Sequence, residues 1–288
     1  YDTIGIREDL QDAIYDISPT TTPFMSTVGR TKAKNTYHEW QTDSLADVNL
    51  ANAQVEGADA TSAVLTPTTR VGNYTQISDK VIQVSTTDDV VDKAGRSTET
   101  AYQLSKASAE IKRDMESILL SDQAQSAGTS STARNLGGLA SWITTNTVDT
   151  AGAPLTETML KEAVLKAYNS GGEPDVLLVS PANKQVVSTF AGIAEQRYQA
   201  PKSSPTTIIG TADVYLSDFG SVNVVPDRFL SDDYSFVLDP SMASVAYLRP
   251  FKSQKLAKMG DSEKHLLNVE YTLVVNNESA HAMMSDET

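Results

Sequence analysis

Residues 42–69 read TDSLADVNLANAQVEGADATSAVLTPTT, and residues 98–124 read TETAYQLSKASAEIKRDMESILLSDQA. The contrast between these two stretches decides the fold. The first is polar, and its large apolar residues are Leu45, Val48, Leu50, Val55, Val64 and Leu65. Fixing one residue of a chain costs about 1–2 kcal/mol, whereas a large apolar side chain returns about 1.5–3 kcal/mol when fully buried. Hairpin hydrogen bonds add only about 1 kcal/mol net each. Six apolar side chains cannot hold so long an arm by themselves, so it is either disordered or ordered by lying on something else. The second stretch sets Ala101, Leu104, Ile111, Met115, Ile118 and Leu119 along one stripe, with Ser108 as its polar interruption, and predicts an amphipathic helix. At 1.5 Å per residue that helix is a rod of roughly 40 Å. Lys106–Glu110 and Lys112–Glu116 supply i,i+4 pairs on its outer face, and Gly128 is expected to end it. Together the two stretches suggest a subunit that holds a rigid rod and extends an arm towards another copy of itself.

Outward from this pair, the arm lies between two strand-like runs, Tyr37–Thr42 and Arg70–Ser85, the latter one or two strands, as a protruding hairpin requires. Nearer the start, Leu10, Ala13, Ile14 and Ile17 share one face of a short helix that Ser18-Pro19 stops. Pro23, Phe24 and Met25 then follow in an extended tail. Beyond the rod, Thr156 caps a helix carrying Leu160, Ala163, Val164, Ala167 and Tyr168 on one side, closed by Gly171-Gly172. Val176–Val179 reads as a buried strand, and Ser180-Pro181 starts another helix with Val186, Val187 and Phe190 inward. After Gly192 comes a loop through Pro201 and Pro205, too long for a simple connection. Strand candidates follow at Asp213–Leu216, Val222–Val225, Ser235–Leu238 and Val245–Leu248. In the final long strand, Leu266–Val275, Leu267, Val269, Tyr271, Leu273 and Val275 face one way and Asn268, Glu270 and Thr272 the other. The fold class is α+β, without internal repeats.

The chain has 288 residues, with 40% hydrophobic and 21% charged, which suits a soluble globular protein with a substantial core. No apolar run reaches the roughly 20 residues of a membrane span, and no signal peptide is visible. Tyr1 in place of methionine indicates a trimmed or processed start. The absence of cysteine excludes disulfides and thiolate chemistry and fits a reducing cytoplasm. A net charge of −14, with basic residues scattered except for Arg249, Lys252, Lys255 and Lys258, argues against sequence-specific nucleic-acid recognition.

Catalysis has little to work with. His38, His265 and His281 stand apart, and His38-Glu39-Trp40-Gln41 lacks the second histidine of a zinc helix. There is no Gly-x-Ser-x-Gly around Ser180, no P-loop and no Gly-x-Gly, so no nucleophile elbow and no cofactor site is expected. Asp88, Asp89 and Asp92 form the densest acidic cluster, but a calcium site would need further oxygen ligands, and a solvated turn accounts for them. Glu110 and Asp114 read as paired surface charges. Asn73-Tyr74-Thr75 and Asn277-Glu278-Ser279 match a glycosylation acceptor that means nothing without secretion.

The strings Arg7-Glu8-Asp9-Leu10, Ile17-Ser18-Pro19, Thr22-Pro23-Phe24, His38-Glu39-Trp40-Gln41-Thr42-Asp43, Asn73-Tyr74-Thr75-Gln76-Ile77, Ala94-Gly95-Arg96, Lys112-Arg113-Asp114 and Val269-Glu270-Tyr271-Thr272-Leu273 carry a resemblance in their order and spacing. Over nearly its whole length the chain resembles the SU-ten-like capsid family of tailed bacteriophages, which shares the Hong Kong 97-type capsid fold. That resemblance implies an amino-terminal arm (1–35), an extended loop (36–80), a peripheral domain with a spine helix (81–150 and 251–288) and an axial domain (151–250). It implies hexamers and pentamers closing an icosahedral shell around double-stranded DNA, contacted non-specifically. Further copies of the chain would be the principal partner, alongside portal, scaffold and decoration proteins, with no membrane. Assembly would take place in the host cytoplasm. Expected inter-subunit contacts are Leu10, Ile14 and Ile17 in the arm and Asn52, Gln54, Val55 and Glu56 in the loop. Arg70, Arg96 and Arg113 are candidate interface cations, and Arg197 and Tyr198 would lie near the local symmetry axis. Some relatives cross-link Lys to Asn between subunits; no such pair can be assigned, and no lysine occurs between Asp43 and Thr69. The rival readings are a nanocompartment shell of the same fold, a hydrolase using Ser180 or the acidic cluster, and an adhesin or tail component.

Overall fold

A computed structural model of the chain describes residues 20–46, 48–57, 59, 65, 67–91, 98–190, 214–258 and 260–285. The helix expected at Arg7–Ile17 lies outside them, as do Arg96 and the loop containing Arg197 and Tyr198. In chain order the elements are α1 (Pro23–Thr27), β1 (Gly29–Lys32), β2 (Tyr37–Thr42), β3 (Thr69–Tyr74), β4 (Gln76–Ser85), α2 (Thr86–Val90), α3 (Glu99–Leu120), α4 (Leu139–Trp142) and β5 (Thr147–Asp149). They continue with α5 (Glu157–Asn169), β6 (Val176–Val179), α6 (Pro181–Val187), β7 (Val214–Ser217), β8 (Gly220–Pro226), β9 (Tyr234–Leu238), β10 (Ala243–Lys255), β11 (Ser262–Val275) and β12 (Ala282–Ser285).

The rod is α3, 22 residues and so about 33 Å long. The Thr98 hydroxyl caps it by accepting from the Ala101 N–H. It stops earlier than expected, because the Ser121 hydroxyl donates to the Ile118 carbonyl and accepts from the Gln123 N–H, turning the chain away. Gly128 instead serves the turn of the Ser126–Asn135 loop, with φ +68°. The inner stripe of α3 is Ala107, Ile111, Met115, Leu119 and Leu120, all buried, while Ala101 is exposed.

This stripe packs on a four-stranded sheet ordered β1-β10-β11-β4, in which β10, β11 and β4 run antiparallel and β1 joins β10 in parallel. The same core takes in Phe24 and Met25 of α1, and Val269, Tyr271 and Leu273 of β11. It also includes one face of a six-stranded sheet, through Leu178, Phe236, Leu238 and Met283. That sheet has the order β5-β12-β9-β6-β8-β7. Its opposite face, with Leu177, Val179, Val237 and Met284, is covered by Leu160, Ala163 and Val164 of α5 and Val187 of α6. Alternate residues of β6 therefore enter two different cores, which is why all four are apolar and buried.

Several expectations change here. Pro23–Thr27 is a helical turn, not an extended tail; proline presets its first position and Glu116 receives the next two N–H groups. Of the one or two strands expected over Arg70–Ser85 there are two, divided at Thr75 and in different sheets, so Lys80, placed by sequence with the extended loop, belongs to the four-stranded sheet and pairs with Glu110. Strands β5 and β12, placed by sequence with the peripheral part, hydrogen-bond to each other in the six-stranded sheet. Residues Ala243–Pro250, placed with the axial part, belong to β10 in the four-stranded sheet. Tyr168 is half exposed and stacks on Phe219.

One close approach fixes how the loop after α3 returns to the rod. A Cβ on Gly138 would overlap the backbone carbonyl oxygens of Ser121 and Ile118, neither of which can swing aside. Gly138→Ala is therefore expected to cost about 1–3 kcal/mol as an overpacking change. Urea unfolding of the unassembled chain checks this, and an unchanged midpoint would contradict it.

Candidate assembly surface

The ribbon that carries the arm is β2 paired antiparallel with β3, from Tyr37↔Tyr74 to Thr42↔Thr69. Tyr37 and Tyr74 meet ring to ring at 4.6 Å, and Trp40 meets Trp142 at 5.4 Å. Arg70 grips Glu39 through two parallel bonds, Nε to Oε1 at 2.7 Å and Nη2 to Oε2 at 2.8 Å. The guanidinium holds the Glu39 carboxyl below its usual range, and the carboxylate raises the Arg70 value in return. Arg70, expected at an interface, thus has a partner in its own chain. Arg113 likewise places its guanidinium 5.4 Å from the centre of the Phe229 ring.

Beyond Thr42 the arm leaves the body. Leu45, Val48, Leu50, Val55 and Leu65 are 80–98% exposed, although each is large and apolar. Asn52, Gln54, Val55 and Glu56 are all exposed, close to the turn at Gly57. Two further apolar surfaces remain open. One is the outer face of β4 at the sheet edge, with Ile77 and Val81. The other is formed by Leu165 and Tyr168 of α5 with Leu216 and Phe219 beside β7, bordering a groove of about 330 Å³. Exposed apolar area of this extent marks an interaction surface.

The ribbon base is anchored by side chains whose role is not apparent from sequence alone. Asn73, fully buried, donates from Nδ2 to the carbonyls of Gly137 (3.0 Å) and Leu273 (2.9 Å). Its Oδ1 accepts from the Gly137 N–H at 2.8 Å. Glu270 is buried as well: Oε1 accepts from Thr75 Oγ1 at 2.8 Å and pairs with Arg134, while Oε2 accepts from Arg249 Nε at 2.7 Å. Arg134 Nε also donates to the Thr75 carbonyl at 2.6 Å. The polar face of β11 therefore lies under the ribbon base and the 126–138 loop, with Glu270 and Thr272 buried. Asn73-Tyr74-Thr75, noted as a glycosylation string and as part of the family resemblance, was the available signal.

A second buried acidic site lies inside the core. Glu116, expected as a surface partner of Lys112, is fully buried and accepts from the Phe24 N–H at 2.6 Å and the Met25 N–H at 3.0 Å. The carboxyl of Asp227, also fully buried, is its acidic neighbour in the core. Burial first, and then the neighbouring Asp227 charge, push Glu116 up to about 8.

Several of the residues weighed for catalysis have structural roles, while Asp92 lies outside the described residues. Ser180 Oγ accepts from the Asn183 N–H as a helix cap. Asp89 accepts from the Thr100 N–H, and the Asp88 N–H donates to Ser85. His281 is buried and its Nδ1 accepts from the Asp239 N–H; burial lowers its pKa, as it does for His38. Among the described residues no cluster of metal-ligating side chains occurs, and no helix is long and apolar enough to cross a membrane. Of the loose cationic group, Arg249, Lys255 and Lys258 pair with Glu270, Glu263 and Asp261 in the same chain.

Comparisons with known proteins agree with this surface-dominated picture. The major capsid protein of Escherichia phage Phieco32 is 29% identical, in an alignment covering 99% of this chain and 95% of that protein. The capsid structure of cyanophage P-SCSP1u superposes with a TM-score of 0.65 at 9% identity, covering 98% of this chain and 93% of that one. An encapsulin complex from Synechococcus elongatus reaches 0.62 at 14% identity, with 99% and 92% covered. These structural likenesses establish the Hong Kong 97-like capsid fold, which phage capsids and encapsulins share. The family model described as SU10 major capsid protein matches residues 1–288. An arm with no core of its own, a buried anchor at its base and a full-length family match lead to one assignment: the chain belongs to the SU10 major capsid protein family.

Proposed function

We propose that the chain builds the icosahedral head of a tailed phage from hexamers and pentamers, with the arm of each copy lying across its neighbour. In this reading residues 1–35 are the amino-terminal arm and the β2–β3 ribbon with its tip is the extended loop. The four-stranded sheet with α3 forms the peripheral part, and the six-stranded sheet with α5 and α6 forms the axial part. The observation that carries the proposal is the set of five large apolar side chains standing almost fully exposed on the arm. A closed shell covers such surface with many modest contacts, each made intramolecular once its neighbours are in place. Asn52, Gln54, Val55 and Glu56 would then touch the adjoining subunit, as would Leu10, Ile14 and Ile17 at another contact. Double-stranded DNA would be held without sequence specificity, and assembly, with portal, scaffold and decoration proteins, would take place in the host cytoplasm.

Electron microscopy of the expressed chain tests the reading. Closed isometric particles are expected, and a monodisperse single copy with its arm folded against its own body would refute it. The encapsulin likeness makes a cargo shell the second reading. Purified particles carrying a host enzyme in place of nucleic acid would favour it.

A further inference from the structure

Three separate parts of the chain meet at one buried pair of acids. Glu116 comes from the middle of α3, Asp227 from the end of β8, and the N–H groups of Phe24 and Met25 from α1, where the chain enters the four-stranded body. Pro23 has no N–H to offer, so these are the first two donors of the turn, and both end on Glu116. Asp227 is held by its own backbone, its N–H donating to the Val179 carbonyl at 2.8 Å. Its Oδ1 accepts from the Phe229 N–H at 2.8 Å, while Oδ2 is buried with no N–H directed at it. Two ionised carboxylates that are neighbours and fully buried repel strongly, so one of them has to carry a proton.

We propose that Glu116 and Asp227 share a single proton and form a pH-operated latch on the point where the amino-terminal segment joins the body. Glu116 carries the proton and donates it to Asp227 Oδ2, while both Glu116 oxygens keep the backbone of Phe24 and Met25. When the proton leaves, two negative charges face each other without a cation between them. The phenol of Tyr247 on β10 faces Glu116, and Arg30 on β1 acts on Tyr247. Arg113 is taken up by the Phe229 ring, and Arg228 points to solvent. The junction of α1, α3 and the β8 end then opens more readily.

The direction of the effect follows from burial, which raises both acids. The closed latch binds a proton that the open one releases. Protection is therefore greatest below the ordinary glutamate range, falls as pH rises through it and levels off near pH 8, where Glu116 itself titrates. The latch is internal to one subunit, so it stands or falls separately from shell building.

Hydrogen exchange of the full chain, read by mass spectrometry on a peptide spanning Thr20–Val28 and corrected for intrinsic exchange, tests it. Between pH 5.5 and 8 protection of this peptide is expected to fall about tenfold or more, while a peptide from β6 stays constant. Asp227→Asn supplies an N–H donor to Glu116, removes the need for the proton and should leave protection flat within about twofold. Glu116→Gln is the second variant and should flatten the profile in the same way from a lower starting level. A flat wild-type profile, or the same fall in both variants, would overturn the latch.

Discussion

A chain lacking Asn49–Ser62 is expected to fold normally and to form no closed shells. The deletion takes out Leu50 and Val55, which are 96% and 80% exposed, so no intramolecular packing is lost with them. The ribbon below keeps its full register and its aromatic contacts, because Tyr37↔Tyr74 to Thr42↔Thr69 lies outside the cut. Shortening a flexible connection changes its closure entropy by less than about 1 kcal/mol. Thermal unfolding should therefore match that of the complete chain, while electron microscopy and sedimentation show only small oligomers. Normal-sized closed particles from the deletion would place the assembly contacts elsewhere, for example on the Tyr168 and Phe219 face.

Replacing Glu270 by alanine should destabilise the unassembled subunit by about 3 kcal/mol, the lower end of the range for breaking a buried ion pair. Glu270 is 4% exposed and is the acceptor on which Arg134, Arg249 and Thr75 converge. Its loss leaves the largely buried Arg134 without its countercharge under the ribbon base. Arg249 is about half exposed and recovers water, which keeps the effect from being larger. Glu270→Gln should cost less, since its carbonyl oxygen still accepts. Urea titration gives the difference directly; a loss below about 1 kcal/mol for the alanine variant would mean that the ribbon base does not depend on this ion pair.

Much of the scaffold was legible because its signals are local. Thr98, Thr156 and Ser180-Pro181 start helices at the residues expected, and the Leu160, Ala163, Val164, Ala167 stripe faces a core as its spacing requires. What failed depends on contacts far apart in sequence. The alternation of Asn268, Glu270 and Thr272 gives a second, polar face but not what lies on it: Arg134, 136 positions from Glu270, pairs with it there. Glu116 stands four residues from Lys112, an ordinary helical pair, but is claimed by Phe24 across 92 positions. A buried carboxylate and a surface one look the same in sequence until their partners are known. The exposed apolar residues of the arm were legible for the opposite reason: nothing nearby in sequence could cover them.

The pairing of β5 with β12 has a consequence for how the subunit is made. Strand Thr147–Asp149 hydrogen-bonds to Ala282–Ser285, which in turn bridges it to Tyr234–Leu238. A nascent chain leaving the ribosome therefore holds an unfinished sheet until synthesis reaches Ser285, and contacts so remote form late. Half-made polypeptides lack the finished body that their neighbours would recognise. A chain cut short before Ala282 would leave Thr147–Asp149 cut off from the rest of its sheet, because β12 is the strand that joins the two.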